Sequence, residues 1–189
     1  MIISFSGAPG SGKSTIAQML ADKLNWPRYY MGGLRREAAK RRGLTLGEYN
    51  KLGETDIQTD QEVDEYQRKL GQEQDNFVIE GRTAWYFIPH SLKIYLDVDS
   101  RVGARRIFSH LQQKNERNED NGLNSWQAVL ENNQKRTESD RIRYRQYYNI
   151  DAGDLKNYDF YLDTTNLNQD QVLLAVYNFV SQRLDNRKN

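Results

Sequence analysis

Cysteine is absent from the chain, and with it go disulfides, thiolate metal sites and a cysteine nucleophile. A reducing compartment suits such a sequence. Proline occurs three times in 189 residues, too seldom for a Pro-rich hinge. The two histidines, His90 and His110, have neither metal-ligand spacing nor a paired nucleophile, so structural or exposed roles are expected of them. No apolar run approaches the length of a membrane span, since the longest, 172–180, is interrupted by Asn178. The amino terminus has no basic n-region, and its apolar run ends in a glycine loop, which predicts no signal peptide. An excess of one charge is missing too: 27 Lys and Arg face 26 Asp and Glu, a net charge of +1. There is no global field to draw in nucleic acid or membrane. These absences predict a cytoplasmic protein without nucleic-acid or membrane partners; a monomer acting on small molecules is expected. Charged residues make up 28% and hydrophobic residues 37%, enough for one domain with a sizeable core and a polar surface or large cleft.

What is present begins at the amino terminus. Gly7, Ala8, Pro9, Gly10, Ser11, Gly12, Lys13 and Ser14 form a complete Walker A phosphate loop. The apolar run 2–5 precedes it as a strand, and a helical pattern with Ile16, Leu20 and Leu24 on one face follows. Glycines let the backbone turn its N–H groups around an anion, and the helix start adds the positive end of its dipole. Lys13 is expected at the β- and γ-phosphates of ATP, the Ser14 hydroxyl on Mg²⁺, and Thr15 at a further phosphate contact. A helix end contributes only about 0.3–2 kcal/mol to an anion, so phosphoryl transfer needs cations on the transferring group, arginine above all.

Short apolar runs alternate with longer amphipathic ones. Strands are expected at 2–6, 28–31, 77–80, 92–97 and 160–163. Helices are expected at 13–25, 33–42, 45–52, 58–74, 100–114, 125–148 and 169–184. The alternation predicts an α/β fold: a five-stranded parallel sheet flanked by helices, with ligands at the carboxyl ends of the strands. The almost wholly helical stretch 33–74 reads as an insertion at the sheet edge, and the very polar stretch 109–123 as a flap or an inert loop.

Several charged constellations admit two readings. Arg35, Arg36, Lys40, Arg41 and Arg42 stand against Glu37, with Arg36 and Lys40 on one helix face, either solvated or phosphate-binding. Glu80 and Arg82 bracket a strand end, as an ion pair or as a water-mediated Mg²⁺ ligand and a bidentate phosphate ligand. Arg136, Asp140 and Arg143 share one helix face, as a salt-bridge ladder or as a reader of a base. A carboxylate in such a reader would accept from an amino group on a base edge and disfavour a carbonyl. Asp60, Asp64 and Gln67 recur at helical spacing, facing a base or solvent. Tyr144, Tyr147 and Tyr148 suit packing better than a stacking platform.

Five features together resemble the nucleoside monophosphate kinases, most of all the archaeal-type cytidylate kinases. They are the phosphate loop, the segment Gly32-Gly33-Leu34-Arg35-Arg36-Glu37, the strand end Glu80-Gly81-Arg82, the stretch 102–107, and the run 136–144 ahead of Tyr148-Asn149-Ile150-Asp151. The pattern departs from the family at Gly103 and His110, where basic residues are frequent, and at Gly33, where an acidic one is. The resemblance implies a P-loop three-layer sandwich with core segments 1–31, 76–108 and 149–189, a helical monophosphate-binding insertion at about 32–75, a short lid at about 109–124 and a long helix at about 125–148. It implies transfer of the γ-phosphoryl of ATP to CMP or dCMP, with Mg²⁺. Lys13, Arg82, Arg106 and Arg117 would be catalytic, Arg105 a further lid candidate, and Glu80 would serve the metal through water. Arg36, Arg82, Arg136, Asp140 and Arg143 would bind the acceptor. The alternatives are the same fold acting on AMP, UMP or a small metabolite, and a nucleotide-dependent switch or ATPase. No N-K-x-D guanine motif supports the switch.

Overall fold

The computed structural model describes residues 1–113 and 123–185. A five-stranded, all-parallel sheet runs in the order β2-β3-β1-β4-β5, with β1 Ile2–Gly7, β2 Arg28–Tyr30, β3 Phe77–Glu80, β4 Leu92–Asp97 and β5 Phe160–Asp163. β1 is central and buried along its whole length. Its alternate side chains feed two cores, as the two-residue strand period demands. Ile3 and Phe5 join Val78, Ile94 and Leu96 under helices α1 (Lys13–Leu24) and α8 (Gln169–Asp185), through Ile16, Leu20, Val172, Val176 and Val180. Ile2 joins Phe77 and Ile79 on the opposite face, beneath α4 (Gln58–Glu73) and the short α5 (Ala84–Phe87), through Val63, Leu70, Ala84 and Ile88. The result is helix, sheet, helix: three layers.

Two further helices precede α4 at the β2 edge. These are α2 (Met31–Arg41) and α3 (Leu46–Gly53), which meet over Ala38, Ala39 and Tyr49. Thr45 and Glu48 close a capping box that starts α3, satisfying two otherwise unpaired N–H groups. α6 (Ser100–Leu111), capped by Asp99, packs against the 23-residue α7 (Trp126–Tyr148) through Ala104, Ile107 and Val129. Among the described residues no helix is long and apolar enough to cross a membrane.

The expected strands agree with the sheet to within one residue. α2 begins at Met31 rather than at residue 33, because the Met31 side chain is buried in the second core and cannot continue an exposed edge strand. α5 was not expected: four residues carry no periodicity for a pattern to reveal. α6 was expected to reach Lys114 but ends at Leu111, with residues 112 and 113 already outside the helix; residue 114 and most of the expected lid fall outside the described residues.

Candidate active site

At the carboxyl end of β1 the chain turns sharply and starts α1. Gly12 is the cap residue of that helix, at φ +84° in the left-handed region. Gly10, at φ +80°, lies so close to α6 that a Cβ there would stand 2.3 Å from the Gly103 carbonyl oxygen. The contact is mutual, since a Cβ on Gly103 would stand 2.5 Å from Pro9 O. Gly103 is therefore a packing position, with no room for the arginine frequent there in the family the sequence resembles. Lys13 lies along the loop, its Nζ donating to Ala8 O at 3.3 Å.

Of the cavities beside this loop, two are lined by Lys13 and Ser14. The first opens between the loop, the β3 end, and helices α2, α3, α4 and α7. Lys13 and Ser14 line it together with Arg36, Arg82 and Arg136, the polar Asp60, Asp64 and Asn50, and the apolar Met31, Leu46, Val63 and Tyr144. The second lies on the other side of the loop, walled by Thr15, Arg105, Arg106, His110, Thr164 and Asn168. Lys13 and Ser14 line both. A phosphate chain seated in the loop would thus face both spaces, one on each side.

The structure brings most of the expected site residues to one place. Arg36 donates to the Tyr30 hydroxyl and to Gly32 O, which holds its guanidinium at the cavity wall. Arg82 projects from the residues after β3, 22% exposed, with Nη1 2.6 Å from Asp140 Oδ2. Glu80 also lines the cavity, but its Oε1 is paired with Arg28 and only Oε2 has no partner.

Two acceptor residues lie differently from expectation. Asp140, expected to accept from a base, has one oxygen on Arg82 and the other on Arg143. Burial alone would raise its pKa, yet Arg82, Arg143, Arg35 and Arg136 outweigh that and hold it below the ordinary range. Arg143 is completely buried and does not line the cavity; it bridges Asp140 of α7 to Asp60 of α4. Burial opposes its charge, but Tyr144, Asp140 and Asp60 more than compensate, so its pKa is raised. Asp60 is held from the other side by Arg35, at 2.6 Å.

Arg106 differs too. Its guanidinium donates to the carbonyls of Thr164, at 2.9 Å, and Thr165, at 3.2 Å, on the loop after β5. The Thr164 hydroxyl is in turn 3.1 Å from Ser11 O, so Arg106 braces the wall of the second cavity against the phosphate loop. Arg117 lies outside the described residues. His110 lines the second cavity, while His90 is exposed. Among the described residues no group of three or more His, Cys, Asp or Glu is placed to hold a metal ion.

Asp64 emerges as more prominent than the sequence implied. It lines the cavity, is 5% exposed, and accepts from the Tyr148 hydroxyl and, at 3.3 Å, from Gln67 Nε2. Burial pushes its pKa up to about 7, Asp60 adds to the rise, and the Tyr148 hydrogen bond opposes it. The available signal was polar residues 60, 64 and 67 sharing the stripe of Val63 and Leu70, where a surface helix would bury only apolar groups. Thr83 and Asn50, also at the cavity, carried no such pattern.

Comparison with known proteins agrees with this arrangement. Residues 2–166 match the model of the cytidylate kinase-like family. A cytidylate kinase of Natronomonas pharaonis is 37% identical over 183 residues, covering 96% of this chain and 90% of that protein. One of Methanocaldococcus jannaschii is 34% identical, covering 100% and 99%. Among solved structures, a shikimate kinase from Bacteroides thetaiotaomicron superposes with a TM-score of 0.63 at 15% identity, over 96% of this chain and 98% of that one, a likeness of fold. The family match over residues 2–166 and the near full-length likeness to these cytidylate kinases show that the chain belongs to the cytidylate kinase-like family.

Proposed function

We propose that this protein is a cytidylate kinase, moving the γ-phosphoryl of ATP to CMP or dCMP and releasing ADP and the nucleoside diphosphate. The observation that carries the reading is a single cavity lined by the phosphate loop, by Arg36, Arg82 and Arg136, by Asp60 and Asp64, and by apolar side chains. This lining suits a nucleotide lying with its phosphate toward Lys13 and its base toward Asp64. The donor nucleoside would occupy the second cavity.

In this reading Arg36 and Arg82 hold the acceptor phosphate, and Arg136 completes the cationic wall. Asp140 and Arg143 act by positioning Arg82 and α4. Lys13 and the loop amides grip the β- and γ-phosphates. An oxygen of the acceptor phosphate bonds to the γ-phosphorus as the bond from that phosphorus to the β–γ bridging oxygen breaks, leaving its electron pair on ADP. The attacking oxygen is already anionic, so no strong general base is needed; alignment and charge neutralisation carry the rate. The Ser14 hydroxyl would hold Mg²⁺, with Glu80 reaching it through water. When bound, that ion neutralises charge developing on the phosphates. Arg106 keeps the donor wall in register with the loop. Arg117, in the lid stretch, would add charge at the γ-phosphate. The reading takes the protein as a monomer, and the absence of cysteine fits a cytoplasmic setting.

Coupled assays with ATP and Mg²⁺ across CMP, dCMP, UMP, AMP and GMP test the reading. Turnover should be fastest with a cytidine nucleotide and be lost with chelator. Rates no higher than ATP hydrolysis with every acceptor would overturn it.

A further inference from the structure

We propose that Asp64, with Gln67 behind it, recognises the exocyclic amino group of the acceptor base and sets the preference for cytidine over uridine monophosphate. The assignment rests on the function proposed above and names which carboxylate does the reading. Three aspartates line the acceptor cavity. Asp60 is held by Arg35 and Arg143, and Asp140 by Arg82 and Arg143. Both are committed to guanidinium groups that fix the cavity walls. Asp64 has no ion pair among the described residues; Tyr148 and Gln67 donate to it, one to each oxygen. Each carboxylate oxygen retains further lone-pair capacity.

Gln67 supplies the second observation. It is completely buried, and its Nε2 is within reach of both Asp64 Oδ1, at 3.3 Å, and Thr83 Oγ1, at 3.2 Å. That fixes the amide so that its oxygen points the other way, toward Gly81 at the cavity wall, where a Cβ would stand 3.3 Å from it. This Oε1 has no hydrogen-bond partner among the described residues. Gln67 does not itself line the cavity, so it acts by holding the Asp64 carboxylate in place. The N4 amino group of cytosine is a donor, and Asp64 is the cavity carboxylate with lone pairs left to accept from it. Uracil would turn its O4 carbonyl toward Asp64 instead. The remaining cytosine edge is an acceptor edge. Asn50 faces the same cavity with its Oδ1 taken by Arg35 at 2.7 Å, so its NH₂ is the group left to donate. Met31, Leu46, Val63 and Tyr144 supply apolar surface for the ring.

The charge of Asp64 makes this measurable. Its pKa of about 7 leaves it partly protonated near neutrality. The groups around it are Asp60 and Arg68 on α4, Arg35 on α2 and Tyr148 on α7. The arginines stay charged, and Tyr148, its own pKa raised by burial and by Asp64, stays a donor. Raising the pH therefore adds carboxylate, which strengthens acceptance from an amino group and weakens binding of a carbonyl.

The test is the ratio of the Kd for UMP to the Kd for CMP, measured by calorimetry on the full chain from pH 6 to pH 8. The ratio cancels titration of the phosphate, which both ligands share. It should rise several-fold across this range in the wild type. In Asp64→Asn it should be flat and lower by about tenfold, since one base-reading pair contributes about 1–3 kcal/mol of discrimination. Tyr148→Phe, which keeps the carboxylate, should retain the preference for CMP. A pH-independent ratio in a wild type that binds CMP, or an Asp64→Asn variant with unchanged selectivity, overturns the assignment of Asp64 alone. A wild type that binds neither nucleotide overturns the kinase reading and this inference with it. If Asp64→Asn does not fold, the wild-type ratio decides.

Discussion

A buried carboxylate without a cation works against the fold, and Asp64 is in that position. Its folded pKa, about 7, lies above the ordinary carboxylate value. As pH rises from about 4, the unfolded chain loses this proton first, while the folded chain still holds it. The stability associated with the protonated side chain is therefore present at low pH and is lost as pH climbs through about 7. Asp64→Asn should raise the melting temperature little at pH 4.5 and most at pH 8, where the gain in unfolding free energy is on the order of a few kcal/mol. Equal shifts at both pH values would show that desolvation of the carboxylate is not the cause. A residue that lowers stability while lining a cavity is typical of a site kept for binding. Asp140 illustrates the opposite solution: equally enclosed, but with arginines that keep it ionised.

At the scale of elements, the site depends on how closely α6 and α7 approach the loop and the insertion. α6 touches the phosphate loop backbone to backbone at Gly103 and Pro9, with no space for a side chain. Gly103→Ala should push the loop from its position, raising KM for ATP about tenfold or more while lowering the melting temperature. Unchanged kinetics would show that the loop can shift without consequence. α7 is tied to α4 by Arg143, which bonds Asp60 and Asp140, and to α3 by the Ser139 hydroxyl on Asn50 O, at 3.2 Å. Arg143→Met fills the same space but strips a cation from two buried aspartates. The loss should be about 3–5 kcal/mol, read as a fall in denaturant midpoint with little change in m. A loss under about 1 kcal/mol would mean that Arg35 and Arg82 carry the pairing alone.

For the whole molecule, the two cavities meet at Lys13 and Ser14, so a ligand spanning both should stabilise more than either nucleotide alone. At one concentration shared by all ligands, about 100 times its own Kd, a bisubstrate analogue joining adenosine to cytidine through a phosphate chain should add about 2.7 kcal/mol, and ATP, binding more weakly, should add less. For a chain of this size the analogue's contribution is a rise of about 5–11 °C in melting temperature. A rise equal to that from ATP alone would mean that the cavities do not act together. The fold itself was largely legible: β3, β4 and β5 have the expected bounds, because alternating apolar runs report strands directly. The site was legible as residue types at strand and helix ends. It was not legible as roles, because Asp60, Asp64 and Asp140 are the same side chain at similar spacing, and only their distant partners distinguish them.

The phosphate loop was determined by sequence alone, since a run of eight residues between a strand and a helix supplies its own amides, glycines and lysine. The basic residues near the acceptor were equally apparent as a reservoir of charge. Which charges remain available to a substrate was decided by tertiary structure. Arg143 meets Asp60 across 83 residues and Tyr148 meets Asp64 across 84, and such pairings have no local signature. They withdraw Arg143 from the cavity and leave Asp64 without a counter-ion, because charge neutralisation in a low-dielectric interior depends on which groups the fold brings within a few ångströms.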